Sequence, residues 1–438
     1  MSDDITVGID IGTSSVKALA VNAEGEIVRR ARIPHDVAIP APLRFEHDAA
    51  KCWYDGPLAA LAALGRDLEP VGVSVAAMVP SLTAVDANER PIASGLLYGD
   101  ERGTGGRGHP GESGELGGFL AWLSAEHPTA HGFRPAQAVA NAALTGEATI
   151  STTAAAACWP LFDFHGWNEP MVRDAGARVD QLPRLVPGGS VAGTLIGNER
   201  CVVEGGTIDA MAEQLVAGAD HDGDVLVICG TTLIVWSVTN EPVEAPGYFP
   251  IPHTAPGKFL LGGPSNGGGL FLNWASSLLA DDGVDADLAN VPLWVPYPRG
   301  ERAPLNDADR RAEIRGLDLT HNAASIRRAA FEAAGFITRR MIEASPTTAR
   351  RIVATGGGVR VPEWLDTLAT CTGLPVDVVA TPEGGALGAA FLARIAAGLE
   401  TSTHAASRWA RIERTVDPDQ RWAAAVDDRY HRWADIAS

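Results

Sequence analysis

Two segments of this chain share one pattern: an apolar strand, a tight Gly-Thr turn and a second apolar strand. The first reads VGIDIGTSSVKALAV at 7–21, and the second reads DVLVICGTTLIVWSV at 224–238. When the two are aligned with a slide of one residue, the paired turn residues are Gly12 with Gly230, Thr13 with Thr231, and Ser14 with Thr232. An internal repeat of this kind predicts that the same strand–turn–strand unit opens each of two domains.

The length of the chain supports that division. A chain of 438 residues exceeds what one ordinary core contains, and 46% hydrophobic with 20% charged residues is a globular balance. Strand and helix patterns alternate in both halves, which favours an α/β architecture. We place the first domain at 1–218, the second at 219–398, and a tail at 399–438 that we expect to form helices docking on the body.

The composition excludes several classes of protein. A formal charge of −19 repels phosphate backbones, so we expect no nucleic-acid partner. The five cysteines are scattered without a CxxC pair, which argues against a disulfide framework and against structural zinc. The acidic start runs directly into a strand pattern, and no apolar run is long enough for a bilayer. We therefore expect a cytoplasmic protein without a membrane partner.

The first Gly-Thr turn has the chemistry of a phosphate site. Small residues in a tight turn expose consecutive backbone N–H groups that bind anions, and glycine allows close approach. Asp10, at the end of the preceding strand, is placed to hold Mg²⁺ through water. The alternative is an ordinary hairpin turn. The candidate phosphate ligands are Gly12, Thr13, Ser14, Ser15 and Lys17.

The second turn and a later glycine run extend the nucleotide site. The second turn has Ile228 where the first has Asp10, so a single metal site in the first domain is expected. A glycine run after a strand leaves room for a nucleoside or an α-phosphate to come close to the backbone. The alternative interpretation of the run is a plain strand-to-helix turn. The additional candidate ligands are Gly230, Thr231, Thr232, Gly356, Gly357 and Gly358.

Asp209 is the candidate general base. It follows the Gly205–Gly206 pair and a strand, and it should lie in the first turn of a helix at 210–219. The helix dipole favours a carboxylate there, which also suits a plain helix-start residue. A carboxylate, a metal and phosphate-holding turns suffice for phosphoryl transfer, which needs mainly positioning and charge neutralisation.

The stretch 103–118 contains eight glycines in sixteen residues. It has too little apolar surface to be ordered by burial, so we interpret it as a mobile surface loop. The alternative is a lid over a substrate.

Together these motifs resemble the FGGY family of carbohydrate kinases, most closely its xylulokinase-like branch. The resemblance covers nearly the whole chain. The segments that carry it are DIGTSSVKALAVNAEGEIV, GGTIDAMAEQLVAGA, GDVLVICGTT, PYPRGERAPLNDADRRAEIRGL, and ATGGGVRVPEWLDTLATCTGLPVDV with PEGGALGAAFLA.

The resemblance implies two actin-like, ribonuclease-H-like ATPase domains with mixed β-sheets flanked by helices and a central cleft. It implies ATP and Mg²⁺ as cofactors, a small sugar or polyol as substrate, Asp209 as base and Asp10 near the metal. A homodimer is left open. The sugar contacts implied are Met78, Ser81, Asp100, Arg102 and Asp209.

Three positions depart from the family pattern. Ala210 stands where Asn or Gln is usual, 77–80 reads Ala-Met-Val-Pro where pentose kinases often carry polar residues, and Asp366 stands where Gln is usual. The first two remove polar groups from the expected sugar site. These departures favour a less hydroxylated or differently shaped substrate than xylulose, whereas the resemblance itself implies a ketose such as xylulose or ribulose, or a related sugar, as the acceptor. The alternatives are a glycerol or polyol kinase, a nucleotide-binding regulator without kinase activity, and a mechanical ATPase of the chaperone or actin type.

Overall fold

The structure is a computed structural model that describes residues 4–104, 114–255, 257–280 and 283–437. Within those ranges, no helix combines the length and the apolar character needed to cross a bilayer.

The part of the chain up to residue 217 holds thirteen strands and seven α-helices among the described residues. The strands are β1 Thr6–Ile11, β2 Ser15–Val21, β3 Ile27–Pro34, β4 Glu46–His47, β5 Gly72–Ala77, β6 Ser81–Val85, β7 Gly95–Leu97, β8 Gly132–Arg134, β9 Thr149–Ser151, β10 Arg184–Val186, β11 Val191–Leu195, β12 Asn198–Glu204 and β13 Thr207–Ile208. The helices are α1 Gly56–Ala63, α2 Glu101–Thr104, α3 Gly114–Glu126, α4 Ala136–Thr145, α5 Thr152–Ala155, α6 Glu169–Asp174 and α7 Asp209–Ala217.

The described remainder holds nine strands and five α-helices. The strands are β14 Asp224–Cys229, β15 Leu233–Thr239, β16 Phe249–Pro252, β17 Phe259–Ser265, β18 Leu293–Val295, β19 Glu313–Arg315, β20 Arg351–Thr355, β21 Val376–Val379 and β22 Ile412–Val416. The helices are α8 Gly269–Ser277, α9 Ala323–Glu343, α10 Pro362–Thr372, α11 Gly384–Ala396 and α12 Ala423–Ala437.

The internal contacts divide the described residues into two compact units. The first unit runs up to Val216 and also includes Glu383–Trp409, and the second contains Ala217–Pro382 and the chain from Ala410 onward. Helix α11 therefore packs within the first unit, although it follows most of the second unit in sequence. The domain limits 1–218, 219–398 and 399–438 stay a prediction about domain organisation.

The central sheet of each unit has the same strand order. In the first, the order β3-β2-β1-β5-β12 combines antiparallel pairing along β1–β3 with parallel pairing of β1, β5 and β12. In the second, β17-β15-β14-β20-β21 repeats this order, with antiparallel β14–β15–β17 and parallel β14, β20 and β21. The internal repeat predicted from the two hairpins is thereby confirmed. In both units the Gly-Thr turn leaves the central strand.

Helix α11 lies very close to the first sheet because glycine occupies the contact points. A Cβ added at Gly8 of β1 would lie 1.8 Å from the carbonyl oxygen of Ala386, and one at Gly72 of β5 would lie 2.7 Å from that of Ala393. Strand β1 is buried along its whole length. The small-residue sequence of α11 therefore brings its backbone, including Gly385, against the strand that ends near Asp10.

Two predictions about local structure require correction. The stretch 103–118 is not a loop throughout, because its two ends belong to α2 and α3; residues 105–113, with most of the suggested lid, lie outside the described residues. Gly118 serves close packing, since a Cβ there would lie 2.3 Å from the Gly103 carbonyl oxygen. The tail is not purely helical either. It forms β22, which extends the second sheet beside β21, before α12.

Candidate functional site

Asp10 and Lys17 form an ion pair beside the first Gly-Thr turn. The two residues are directly opposite each other in the antiparallel β1–β2 pair, so their side chains share one face of the sheet. Lys17 Nζ lies 3.0 Å from Asp10 Oδ2. Asp10 raises the pKa of Lys17, and Glu213 and Glu383 add to that effect, so the ammonium stays charged. A single cation thus faces several carboxylates.

The turn between β1 and β2 is closed by one backbone hydrogen bond. The N–H of Gly12 donates to the carbonyl oxygen of Ser15 at 3.1 Å. The hydroxyl of Thr13 lies 3.2 Å from the hydroxyl of Tyr98, which follows β7. A Cβ at Gly12 would have only one neighbour within 4 Å, at 3.5 Å, so the space beside the turn is open. The turn therefore leaves open space beside Gly12, and phosphate binding by Gly12–Ser15 stays a prediction.

Asp209 is the first residue of α7, as the sequence indicated. The N–H of Ala210 donates to its Oδ1 at 2.7 Å. Burial, followed by the charge of Asp10, raises the pKa of Asp209 to about 6, while Lys17 acts in the opposite direction. The structure thus brings Asp10, Lys17 and Asp209 into one electrostatic cluster. A carboxylate with a pKa near neutrality is suited to general-base chemistry.

A set of buried polar groups fixes the turn before Asp209. Glu204 Oε2 accepts hydrogen bonds from the N–H of Gly206 at 2.7 Å and from the hydroxyl of Ser74 at 2.8 Å. The side-chain amide of Asn141 donates to the carbonyl of Gly205 at 3.1 Å. Burial raises the pKa of Glu204 to about 7. Sequence reasoning missed this network, although an acidic residue ending an apolar strand was its visible sign.

Glu213 was also missed. It lies four residues after Asp209, hence on the same face of α7. Its Oε2 is shielded from solvent and has no hydrogen-bond partner in the part of the chain that the structure describes. Burial, with Asp10 and Asp209 adding to it and Lys17 opposing it, raises the pKa of Glu213 to about 8. This side chain is therefore protonated at neutral pH.

Replacing Glu213 with Gln should stabilise the protein at high pH. The folded-state pKa of about 8 exceeds the ordinary value of 4.5, so folding favours the protonated form and stability falls as the pH rises between those values. Glutamine cannot ionise. We expect the Tm of Glu213→Gln to exceed that of the wild type by about 2–4 °C at pH 9 and to match it near pH 5.

The exposed Glu199 of β12 provides the matched control. Thermal unfolding of Glu199→Gln should follow the wild type at both pH values. A Glu213→Gln variant that is less stable than the wild type at pH 9 would contradict the protonated state of Glu213.

The second Gly-Thr turn is held by the start of α8. The N–H of Gly269 donates to the carbonyl of Gly230 at 2.9 Å, and the N–H of Leu270 donates to that of Thr231 at 3.1 Å. Because a trans peptide sets its C=O and N–H on opposite sides, the N–H groups that follow these carbonyls point away from α8. The backbone N–H groups of Thr231 and of the next residue are therefore directed away from helix α8. This support by α8 was not foreseen from the sequence.

The glycine run lies beside the second turn. Gly356 has φ +87°, and a Cβ there would lie 3.0 Å from the carbonyl oxygen of Cys229, the residue before Gly230. A Cβ at Gly357 would meet nothing within 4 Å. Gly358 packs on Trp364, since a Cβ at this position would lie 2.3 Å from the indole ring. Gly357 therefore borders open space, while its two neighbours are required by packing.

The side chains expected to contact the sugar have structural partners instead. Met78 is 2% exposed and belongs to the core. The hydroxyl of Ser81 accepts a hydrogen bond from the N–H of Ala136 at 3.2 Å. Arg102 pairs with Asp100 at 2.6 Å and with Glu46 at 2.7 Å, and the side chain of Asp100 is fully buried. Their role in sugar binding stays a prediction, which these contacts do not favour.

Comparison with known proteins matches both parts of the chain to one family. Residues 5–109 match the N-terminal domain of the FGGY family of carbohydrate kinases, and residues 225–397 match its C-terminal domain. A xylulose kinase of Escherichia coli (strain K12) is 27% identical over 95% of this chain and 96% of its own length. A gluconokinase of Bacillus licheniformis is 24% identical over 90% of this chain and 87% of its own.

The fold agrees with these matches. The crystal structure of gluconate kinase from Lactobacillus acidophilus superimposes with a TM-score of 0.83, at 20% identity, covering 99% of this chain and 98% of that one. Each of the two family segments contains one of the Gly-Thr turns, and the superposition covers 99% of this chain. This chain belongs to the FGGY family of carbohydrate kinases and is itself a carbohydrate kinase.

Proposed function

We propose that this kinase transfers the γ-phosphoryl group of ATP to a hydroxyl of a small sugar or sugar acid, with Asp209 as the general base. The observation that carries the proposal is the placement of Asp209 at the start of α7, with a pKa near 6, in one cluster with the Asp10–Lys17 pair. That cluster adjoins the Gly12–Ser15 turn, because Asp10 is the last residue but one of β1 and Lys17 is the third residue of β2.

In the proposed reaction, Asp209 accepts the proton of the acceptor hydroxyl as its oxygen attacks the γ-phosphorus. A new P–O bond forms, the bond from the γ-phosphorus to the bridging oxygen breaks, and ADP leaves. Lys17 and the backbone N–H groups of the Gly12–Ser15 turn bind phosphate oxygens and offset their growing charge. Taken by itself, the second unit has backbone groups at Thr231 and open space beside Gly357 that are suited to binding part of a nucleotide.

Magnesium fits the residues at Asp10. Hard carboxylate oxygens are the ligands this ion prefers, and Asp10 and Asp209 interact electrostatically around one lysine. Gly385 leaves room beside Asp10, since a Cβ there would lie 3.0 Å from its Cγ. We propose that Asp10 holds Mg²⁺, chiefly through water. When bound, the ion neutralises phosphate charge.

The acceptor is proposed from the relatives and from the side chains near Asp209. The relatives include proteins described as xylulose kinases and as gluconokinases. Ala210 and the apolar side chains of 77–80 provide few polar groups, and Asp100 and Arg102 are paired with each other. We propose a ketose such as xylulose as the acceptor, with gluconate and glycerol as the chemical alternatives.

A substrate panel tests the proposed acceptor. ADP formation should be measured with Mg-ATP and xylulose, ribulose, gluconate, glycerol and several aldoses at matched concentrations. We expect the highest kcat/KM with a ketose, by about tenfold or more over glycerol, as expected when acceptor groups are left unpaired. A clear preference for gluconate or glycerol would reject the ketose. No turnover with any acceptor would reject the proposed reaction.

A further inference from the structure

A buried histidine supports the first Gly-Thr turn from behind. His47 lies on the short strand β4 and is 1% exposed. Its Nε2 lies 2.9 Å from the carbonyl oxygen of Thr13. On the other side of the ring, the indole N–H of Trp53 donates to Nδ1 at 3.0 Å. Both ring nitrogens are therefore occupied, one of them by the turn.

The two bonds define the tautomer of His47. An indole nitrogen only donates, so Nδ1 must accept and cannot carry a proton. The proton of the neutral ring therefore resides on Nε2 and is donated to Thr13. Burial lowers the pKa of His47 to about 4, which keeps the ring neutral at physiological pH. Trp53 is itself fully buried, so its indole is held in place.

This arrangement has a consequence for the opposite side of the turn. The peptide group between Thr13 and Ser14 is planar, so fixing the Thr13 carbonyl toward His47 directs the Ser14 N–H away from it. The next carbonyl, that of Ser14, accepts from the backbone N–H of His35 at 3.0 Å. Two successive carbonyls are thus anchored. The N–H of each of these peptide groups, at Ser14 and at Ser15, points away from the partner that its own carbonyl binds, and an N–H released in this way is what an anion site requires.

We propose that His47 is a positioning residue for phosphate binding: it holds the Thr13 carbonyl so that the Ser14 N–H points at the nucleotide phosphate. The inference rests on the proposed function of the Gly12–Ser15 turn. Trp53 acts one step further out by selecting the tautomer that can donate. Nothing in the local sequence signals this role, because His47 lies 34 residues from Thr13.

A metal centre is the competing interpretation of the same residues. Among the described residues, His35, His47 and Cys52 bring one ligand atom each to within 4.8 Å of one another. Both nitrogens of His47 already have hydrogen-bond partners, however, and a metal would have to displace one of them. Burial also raises the pKa of the Cys52 thiol to about 12, which disfavours the thiolate that metals bind.

The test compares three variants by their affinity for a non-hydrolysable ATP analogue, measured by calorimetry without sugar. His47→Leu removes the donor, and we expect the Kd to rise about tenfold, the effect of one lost hydrogen bond. His47→Gln retains an N–H donor on a flexible chain and should bind within about threefold of the wild type. Trp53→Phe removes the hydrogen bond that selects the tautomer of His47. Its Kd should lie between those of the two His47 variants.

His253 in the second unit provides the matched control. It has the same two-sided bonding, with Nε2 2.8 Å from the Ala219 carbonyl and Nδ1 accepting from the Ala255 N–H at 2.7 Å. His253→Leu should lower stability as His47→Leu does while leaving the analogue's Kd unchanged. Equal Kd values for His47→Leu and the wild type would overturn the proposal, and so would an equal loss of affinity in His253→Leu.

Two further measurements keep the proposal testable if His47→Leu does not fold. Nitrogen-15 spectra of histidine-labelled protein should show His47 as the Nε2–H tautomer in the wild type and as a mixture in Trp53→Phe. Wild-type binding by a Trp53→Phe variant with mixed tautomers would overturn the proposal. Stoichiometric zinc that is lost in Cys52→Ser would overturn it in favour of a metal centre. Because binding is read without sugar, these outcomes are independent of which acceptor is phosphorylated.

Discussion

Replacing Asp209 with Asn should lower turnover by about 10²–10⁴-fold, the range for loss of a positioned general base. Asparagine keeps the shape of the side chain and its oxygen acceptor for the Ala210 N–H, but it cannot take a proton at neutral pH. Binding of ATP, measured by calorimetry, should change little. The expected result is a protein that binds nucleotide normally and reacts very slowly.

The pH dependence separates loss of the base from general damage. With a pKa of about 6, Asp209 acts as a base above that pH, so wild-type turnover should fall about tenfold per pH unit below it. The residual turnover of Asp209→Asn should lack this fall at low pH, the acid limb of the pH profile. Stability should not decrease: the folded state raises the pKa of Asp209 above 3.8, so its ionised form costs stability near neutral pH, and asparagine avoids that cost.

The exposed Asp174 at the end of α6 gives the matched control. Asp174→Asn should retain wild-type turnover and the acid limb. Turnover within about threefold of the wild type in Asp209→Asn would remove Asp209 from the role of base. A large loss of Tm would instead point to a structural role.

The second large effect is expected from adding one methyl group at Gly388. Its virtual Cβ lies 2.0 Å from the carbonyl oxygen of Ala212 on α7, and backbone atoms cannot move aside as side chains do. Helices α11 and α7 must therefore separate, and we expect Gly388→Ala to lose about 3 kcal/mol of unfolding free energy or more. Because α7 begins at Asp209, turnover should also fall.

Gly8→Ala tests the packing of helix α11 on strand β1. The added Cβ would lie 1.8 Å from the Ala386 carbonyl oxygen, so we expect a loss of unfolding free energy at least as large as for Gly388→Ala, measured by urea unfolding. Gly166→Ala is the control, because a Cβ there meets nothing within 4 Å and its φ is not in the left-handed region. Wild-type stability in Gly388→Ala would show that the α7–α11 contact is looser than described.

Much of the fold could be predicted from local sequence. The two hairpins and the helix at Asp209 follow from apolar periodicity and from glycine in the turns, both of which can be read within a short window. The loop prediction over 103–118 was wrong at its ends because glycine was interpreted as a sign of flexibility. Gly103 and Gly118 instead allow two helices to pack in close contact.

The sequence by itself determined the chemistry of the candidate site: a carboxylate after a glycine pair, an acid and a lysine flanking one turn, and a second turn without the acid. Within each motif the residues lie close together in the chain, so their spacing already constrains what each motif can do. Only the tertiary structure decided the surroundings that tune them, such as Glu213 beside Asp10 and the α8 amides behind the second turn.

The physical reason is that pKa shifts and carbonyl anchoring depend on burial and on contacts between residues distant in sequence. His47 reaches Thr13 across 34 positions, and Gly385 reaches Asp10 across most of the chain. No local pattern encodes such encounters. The Gly-Thr turns could therefore be recognised in the sequence. The groups that hold their backbone in place became visible only in the folded protein.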